Sequence, residues 1–128
     1  MIVYLYAILS CFYASIEGIR EAFYYHALKG SKSQNLHGIY WFQRLIFAIF
    51  LYVATNFFIL TFFVLIFSFF HNGFYFLTRN RLDRLIYPKK FIDFSTTSTA
   101  IMEFNFIERS ILFLIGLISL ILNIIFSK

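Results

Sequence analysis

The chain has 128 residues, of which 61% are hydrophobic, 23% aromatic and 13% charged, with a formal net charge of +5. Soluble domains are about a quarter charged and disordered chains are poor in aromatics, so neither class fits. A single cysteine, Cys11, excludes a disulfide scaffold. With a mean hydropathy of +0.78, the sequence reads as an all-α integral membrane protein in one transmembrane domain over residues 1–128.

The first apolar run, Met1 to Ile16, has no basic stretch ahead of it. No small-x-small cleavage site follows; Glu17 and Arg20 come instead. It reads as a retained first span continuing over about residues 2–28, rather than as a signal peptide. Cys11 inside the run is expected to be a packing residue. Towards the end of this helix Glu17 and Glu21 share a face, with Tyr24 one turn on. Arg20 lies beside that face, where it can pair with either carboxylate. His26 falls on the far side of the helix from Glu17.

A polar loop carrying Lys29 and Lys32 follows, over about residues 29–35. The next apolar region, with its flanks, runs from Ile39 to Thr78 and includes the uncharged stretch Leu45 to Phe70. As one helix it would be about 60 Å long, about twice the hydrocarbon thickness of a bilayer. Thr55 and Asn56 are the adjacent polar pair near its centre, and Asn suits both a turn and a helix cap. Two spans, about 36–54 and 57–77, are therefore expected. Arg44 enters the first of them, and His71 and Asn72 lie near the end of the second. Asn72, Tyr75 or Phe76, and Arg79 fall on one side of that helix, with His71 adjacent. Gly73 suits close helix contact.

The segment 78–104 is the longest outside a span. It begins with the basic cluster Arg79, Arg81, Arg84, Lys89 and Lys90, which suits contact with anionic lipid, either as an amphipathic stretch or as a simple topological anchor. Pro88 should end any helix there. The run Ser95 to Thr99 offers a hydroxyl to cap the last span, about 105–126, which starts with Glu108 and Arg109 close behind Glu103.

Four spans place both basic segments on one side, which the positive-inside rule makes cytoplasmic, with both termini outside a plasma or inner membrane. Three spans, the alternative, would put them on opposite sides. Trp41, Tyr40, Tyr24 and Tyr25 suit an inner aromatic belt, and Tyr4, Tyr6 and Tyr52 an outer one. The basic residues are few and explained by topology, so nucleic acid is not an expected partner.

Ionisable groups within spans are functional-site candidates by default. In the four-span arrangement they gather near the cytoplasmic leaflet. Glu17, Glu21 and His71 are candidates for proton transfer. Arg20, Arg44, Asn72, Tyr75 and Arg79 are candidates for holding a substrate, with Arg44 and Arg79 suited to an anionic headgroup. HExxH, CxxC and His-rich patterns are missing from the sequence, so no metal is assigned and no cofactor is specified. Two functions fit. One is the binding or modification of a lipid-like or amphiphilic substrate. The other is a structural or accessory role in a homo-oligomer or membrane complex, a channel-like assembly included, with the carboxylates consumed in arginine pairs. Recurrence of polar groups at one depth favours the first.

Overall fold

A computed structural model describes residues 2–28, 37–94 and 104–126. Lys29, Lys32, the Ser95 to Thr99 run and Glu103 lie outside these residues. The described chain is all-helical, with α1 Ile2–Ala27, α2 His37–Ala54, α3 Phe57–Leu82 and α4 Phe106–Phe126. α3 and α4 are long and apolar enough to cross a membrane, and α2 is a shorter apolar helix.

The break between α2 and α3 falls at Thr55 and Asn56. Asn56 has extended backbone, and its side-chain oxygen accepts from Phe58 N at 3.0 Å and Ile59 N at 3.3 Å, capping α3. Its amide donates to Asn123 Oδ1 in α4, which ties the turn to the last helix. Two of the first α3 donors thus find partners without glycine or proline in the turn.

α3 is the central helix. It runs parallel to α1 and antiparallel to α4, packs closely against both, and meets α2 more lightly. Small residues make the α1 contact possible: Ala14, Gly18 and Ala22 are buried one turn apart. A Cβ at Gly18 would run into the His71 carbonyl oxygen, and one at Gly116 would sit 2.8 Å from Ile66 Cγ2. Around these contacts lie two apolar clusters. Ala7, Phe62 and Ile66 form one, with Cys11 and Phe113 against it; Leu51, Ile59 and Phe63 form the other, with Tyr13 and Phe47 against it.

Polar and charged side chains are buried alongside this apolar core, and large apolar ones are exposed. Ser10, Glu17, Glu21, His71, Arg109, Ser119 and Asn123 are buried, while Phe12, Phe42, Val53, Ile118 and Phe126 are exposed. Hydroxyls within the helices largely serve themselves: Ser10, Ser15, Thr61 and Ser110 donate to the carbonyl four residues back. Ser119 instead donates across to Phe58 O at 3.0 Å.

The basic segment after α3 is not an amphipathic helix. The helix ends at Leu82, well before Pro88, with Asp83 as its cap. A turn and an extended strap follow to Phe94. The strap folds over the end of the bundle, Phe91 filling the space left by Gly73 and accepting from Arg109 Nη2 at 2.8 Å. Arg109 is fully buried under this strap and also lies over the Phe76 ring. The cap of α4 is Asn105, not a described hydroxyl. Asn105 Oδ1 accepts from Glu108 N and Glu108 Oε2 accepts from Asn105 N, a reciprocal box.

Candidate functional site

Three helices build one buried polar centre. Glu17 and Glu21 come from α1, Arg44 from α2 and His71 with Asn72 from α3. The i, i+4 spacing of the two glutamates turns both inward, and Gly18 between them lets α1 approach the His71 turn. Arg44 Nε donates to Glu17 Oε1 at 2.6 Å, and Arg44 Nη2 stands 3.5 Å from Glu21 Oε2. Glu21 Oε2 is also 2.8 Å from His71 Nε2. His71 Nδ1 meets Asn72 Oδ1 at 3.0 Å. The Arg44 guanidinium packs over the Phe67 ring at 4.8 Å, and the same ring stacks on His71.

Such a network is self-satisfying except at one atom. Glu17 Oε2 is buried and accepts no hydrogen bond, although the residue is only 3% exposed. An unpaired buried acceptor is uncommon enough to need an explanation.

Arg20 does not pair with the carboxylates as its spacing allowed. It is exposed, donates to Gln43 Oε1 at 2.8 Å and lies over the Tyr40 ring. Tyr40 is consequently buried rather than part of an outward belt. Tyr75 stacks 6.5 Å from the His71 ring and contacts Tyr25 and Tyr87, extending the aromatic wall away from the charges. Arg79 lies two turns beyond His71, over Tyr87, and is not brought together with Arg44. α4 contributes nothing to the centre, since Arg109 is engaged by the strap and Glu108 by its cap. His26, as expected, is elsewhere; it pairs with Asp83 at the ends of α1 and α3. Among the described residues no group of three or more His, Cys, Asp and Glu side chains is arranged to hold a metal.

Beside the network a cleft of about 520 Å³ opens between α1 and α2. It is lined by Tyr13, Ile16, Glu17 and Arg20 from α1 and by Gln43, Ile46, Phe47 and Phe50 from α2. Its existence follows from bulky rings at the helix contact. Tyr13 and Phe47 stack at 4.0 Å, and Phe47 meets Phe63 edge-on. These rings hold α2 off α1 where small residues let α3 close in. Sequence reasoning found Glu17 and Arg20 of this lining but not Tyr13, Gln43 or the apolar members. A second helix is needed to define a cleft, and the rotation of α2 was not readable from periodicity.

The lining is graded along the helices. Arg20, Gln43 and Glu17 lie at the end nearer the α1 C-terminus and the α2 N-terminus. Phe50, Ile46, Phe47 and Tyr13 continue towards mid-helix. Glu21, His71, Asn72 and Arg44 do not line the cleft. Chemically the arrangement offers a cation, an amide and a buried carboxylate oxygen at one end of an apolar trough. Comparison with protein-family models, curated proteins and solved structures finds no match.

Proposed function

We propose that this chain is a four-span membrane protein that binds a lipid-like amphiphile sideways in the cleft between α1 and α2. The membrane part rests on the burial pattern, because large apolar side chains are exposed on all four helices while several charged ones are buried. Arg81, Arg84 and Lys90 are exposed at the end where α3 stops, and they belong on the cytoplasmic side, in contact with anionic headgroups. Both termini then lie outside, in a plasma or inner membrane.

The observation that carries the binding reading is the grading of the cleft. Its polar side, Arg20 and Gln43, lies about 10 Å in from the C-terminal end of α1 and the N-terminal end of α2, and its apolar side runs past mid-helix to Phe50. An amphiphile has that same polarity along its length. The mouth is formed by exposed Ile16, Ile46 and Phe50, so a ligand enters from lipid. Glu17, braced from behind by Arg44, serves as part of the back wall. With Glu21 and His71 behind that wall, proton transfer to a ligand in the cleft is not part of the reading.

Filling the trough tests this. Ile46→Trp should remove amphiphile that co-purifies with the protein, read by native mass spectrometry from lipid-containing micelles. Ile118→Trp, on exposed α4, should leave it in place. Equal retention in both variants would overturn the reading. A second reading, a packing subunit of a homo-oligomer or larger complex, is favoured by the pairing of both carboxylates with Arg44 or His71. It predicts a defined complex mass and no cleft-dependent ligand.

A further inference from the structure

Arg20 brings to the cleft a positive charge that no carboxylate of the described residues pairs with. Resting on the binding reading above, we infer that the ligand of the cleft is a free long-chain carboxylic acid, bound as its carboxylate. The carboxylate lies on Arg20 and Gln43, and the hydrocarbon chain fills the trough beyond them.

The accessible groups on the polar side are donors. Arg20 makes one hydrogen bond, from Nη2 to Gln43 Oε1 at 2.8 Å, and its guanidinium lies over the Tyr40 ring. A guanidinium has donors only, so the Gln43 atom facing it is the oxygen, and the Gln43 amide nitrogen keeps two hydrogens for another acceptor. The other donors of the exposed Arg20 fork are uncommitted as well. Glu17, the one carboxylate in the lining, is not open to a ligand. It is 3% exposed, Arg44 Nε holds one of its oxygens, and the Tyr13 hydroxyl faces it. The polar side therefore offers donors to an incoming headgroup and no accessible acceptor. A cation within a span calls for a counter-charge. The planar fork matches a carboxylate, which accepts two parallel N–H bonds from it.

Depth selects a free acid over a phospholipid. Arg20 and Gln43 stand about 10 Å in from the nearby helix ends. A free acid has nothing attached beyond its carboxylate and can seat at that level. A phospholipid phosphate there would draw its outer headgroup inward with it, and burying those polar groups is costly. The charges agree, since one guanidinium matches one carboxylate. Past the polar side, Ile16, Ile46, Phe47 and Phe50 continue the trough as an apolar bed for the chain.

The test varies the ligand as well as the protein. Purified protein in nonionic detergent is offered hexadecanoate, hexadecanol or dipalmitoyl phosphatidylglycerol, in mildly alkaline buffer that keeps the acid ionised. Bound ligand is counted by native mass spectrometry. Hexadecanoate should bind about tenfold more than hexadecanol, the scale of one charge-assisted hydrogen bond. Phosphatidylglycerol at equal mole fraction should not displace it. Arg20→Gln, at an exposed position, should bring hexadecanoate down to the level of hexadecanol and leave hexadecanol unchanged. Equal binding of acid and alcohol to the wild type, or acid binding that survives Arg20→Gln, would overturn the inference and leave the binding reading standing. Displacement by phosphatidylglycerol would overturn the choice of a free acid. Ile46→Trp should reduce acid and alcohol alike; binding that it leaves intact would overturn the binding reading itself.

Discussion

Arg44 is the side chain on which the polar centre depends. It contacts Glu17 and Glu21 and approaches His71 Nε2 at 3.3 Å. Removing one partner of a buried pair leaves a stranded charge, so Arg44→Ala should destabilise the fold by about 3–5 kcal/mol. The measurement is unfolding in mixed micelles; a loss under about 1 kcal/mol would contradict the account. Gly18 is the second critical position. Gly18→Ala presses a methyl into the His71 carbonyl and should cost about 1–3 kcal/mol by overpacking. Gly38→Ala meets nothing within 4 Å and should be neutral or slightly stabilising in the same assay. The Glu17–Glu21 pair was legible because helical spacing alone puts both on one face. The choice of Arg44 over Arg20 was not, since it depends on how α2 rotates against α1. Gly18 also escaped notice, because a glycine between charges reads no differently from one in a loop until a neighbouring helix is in place.

Among the elements, the α2–α3 junction shows most clearly how local chemistry produced the architecture. An apolar stretch too long for one bilayer crossing held one polar pair near its centre, and the chain turns there. Asn56 performs the turn by capping α3 and by reaching Asn123. Asn56→Ala should therefore cost about 1–2 kcal/mol for the cap. Asn56→Asp retains the accepting oxygen but cannot donate to Asn123, so in the same unfolding assay it should be the milder change. The strap from Asp83 to Phe94 was less legible. Its basic residues with interspersed Leu, Ile and Tyr resemble an amphipathic helix in composition. Its path is decided by a tertiary event, the insertion of Phe91 against Gly73 and over Arg109. The start of α4 is fixed by a short Asn–Glu box at Asn105 and Glu108.

At the scale of the whole molecule, many large apolar side chains are exposed on the helices while several polar and charged groups are buried beside the two apolar clusters. Composition pointed to an apolar environment, and two helices, α3 and α4, are long and apolar enough to cross a membrane. The cleft was not legible, because it lies between two helices that sequence treats separately. In the four-crossing arrangement the helices α1 and α3 run one way, α2 and α4 the other, and the Thr55–Asn56 turn and the Arg84 turn lie at opposite ends. Single-cysteine variants, Thr55→Cys and Arg84→Cys in a Cys11→Ser background, test this arrangement with a membrane-impermeant thiol reagent applied to sealed cells and to inverted vesicles. The two cysteines should react from opposite sides of the membrane, Arg84→Cys from the cytoplasmic side. Reaction of both from the same side, or failure of Thr55→Cys to react from either, would contradict the four-crossing arrangement and the lateral cleft that depends on it.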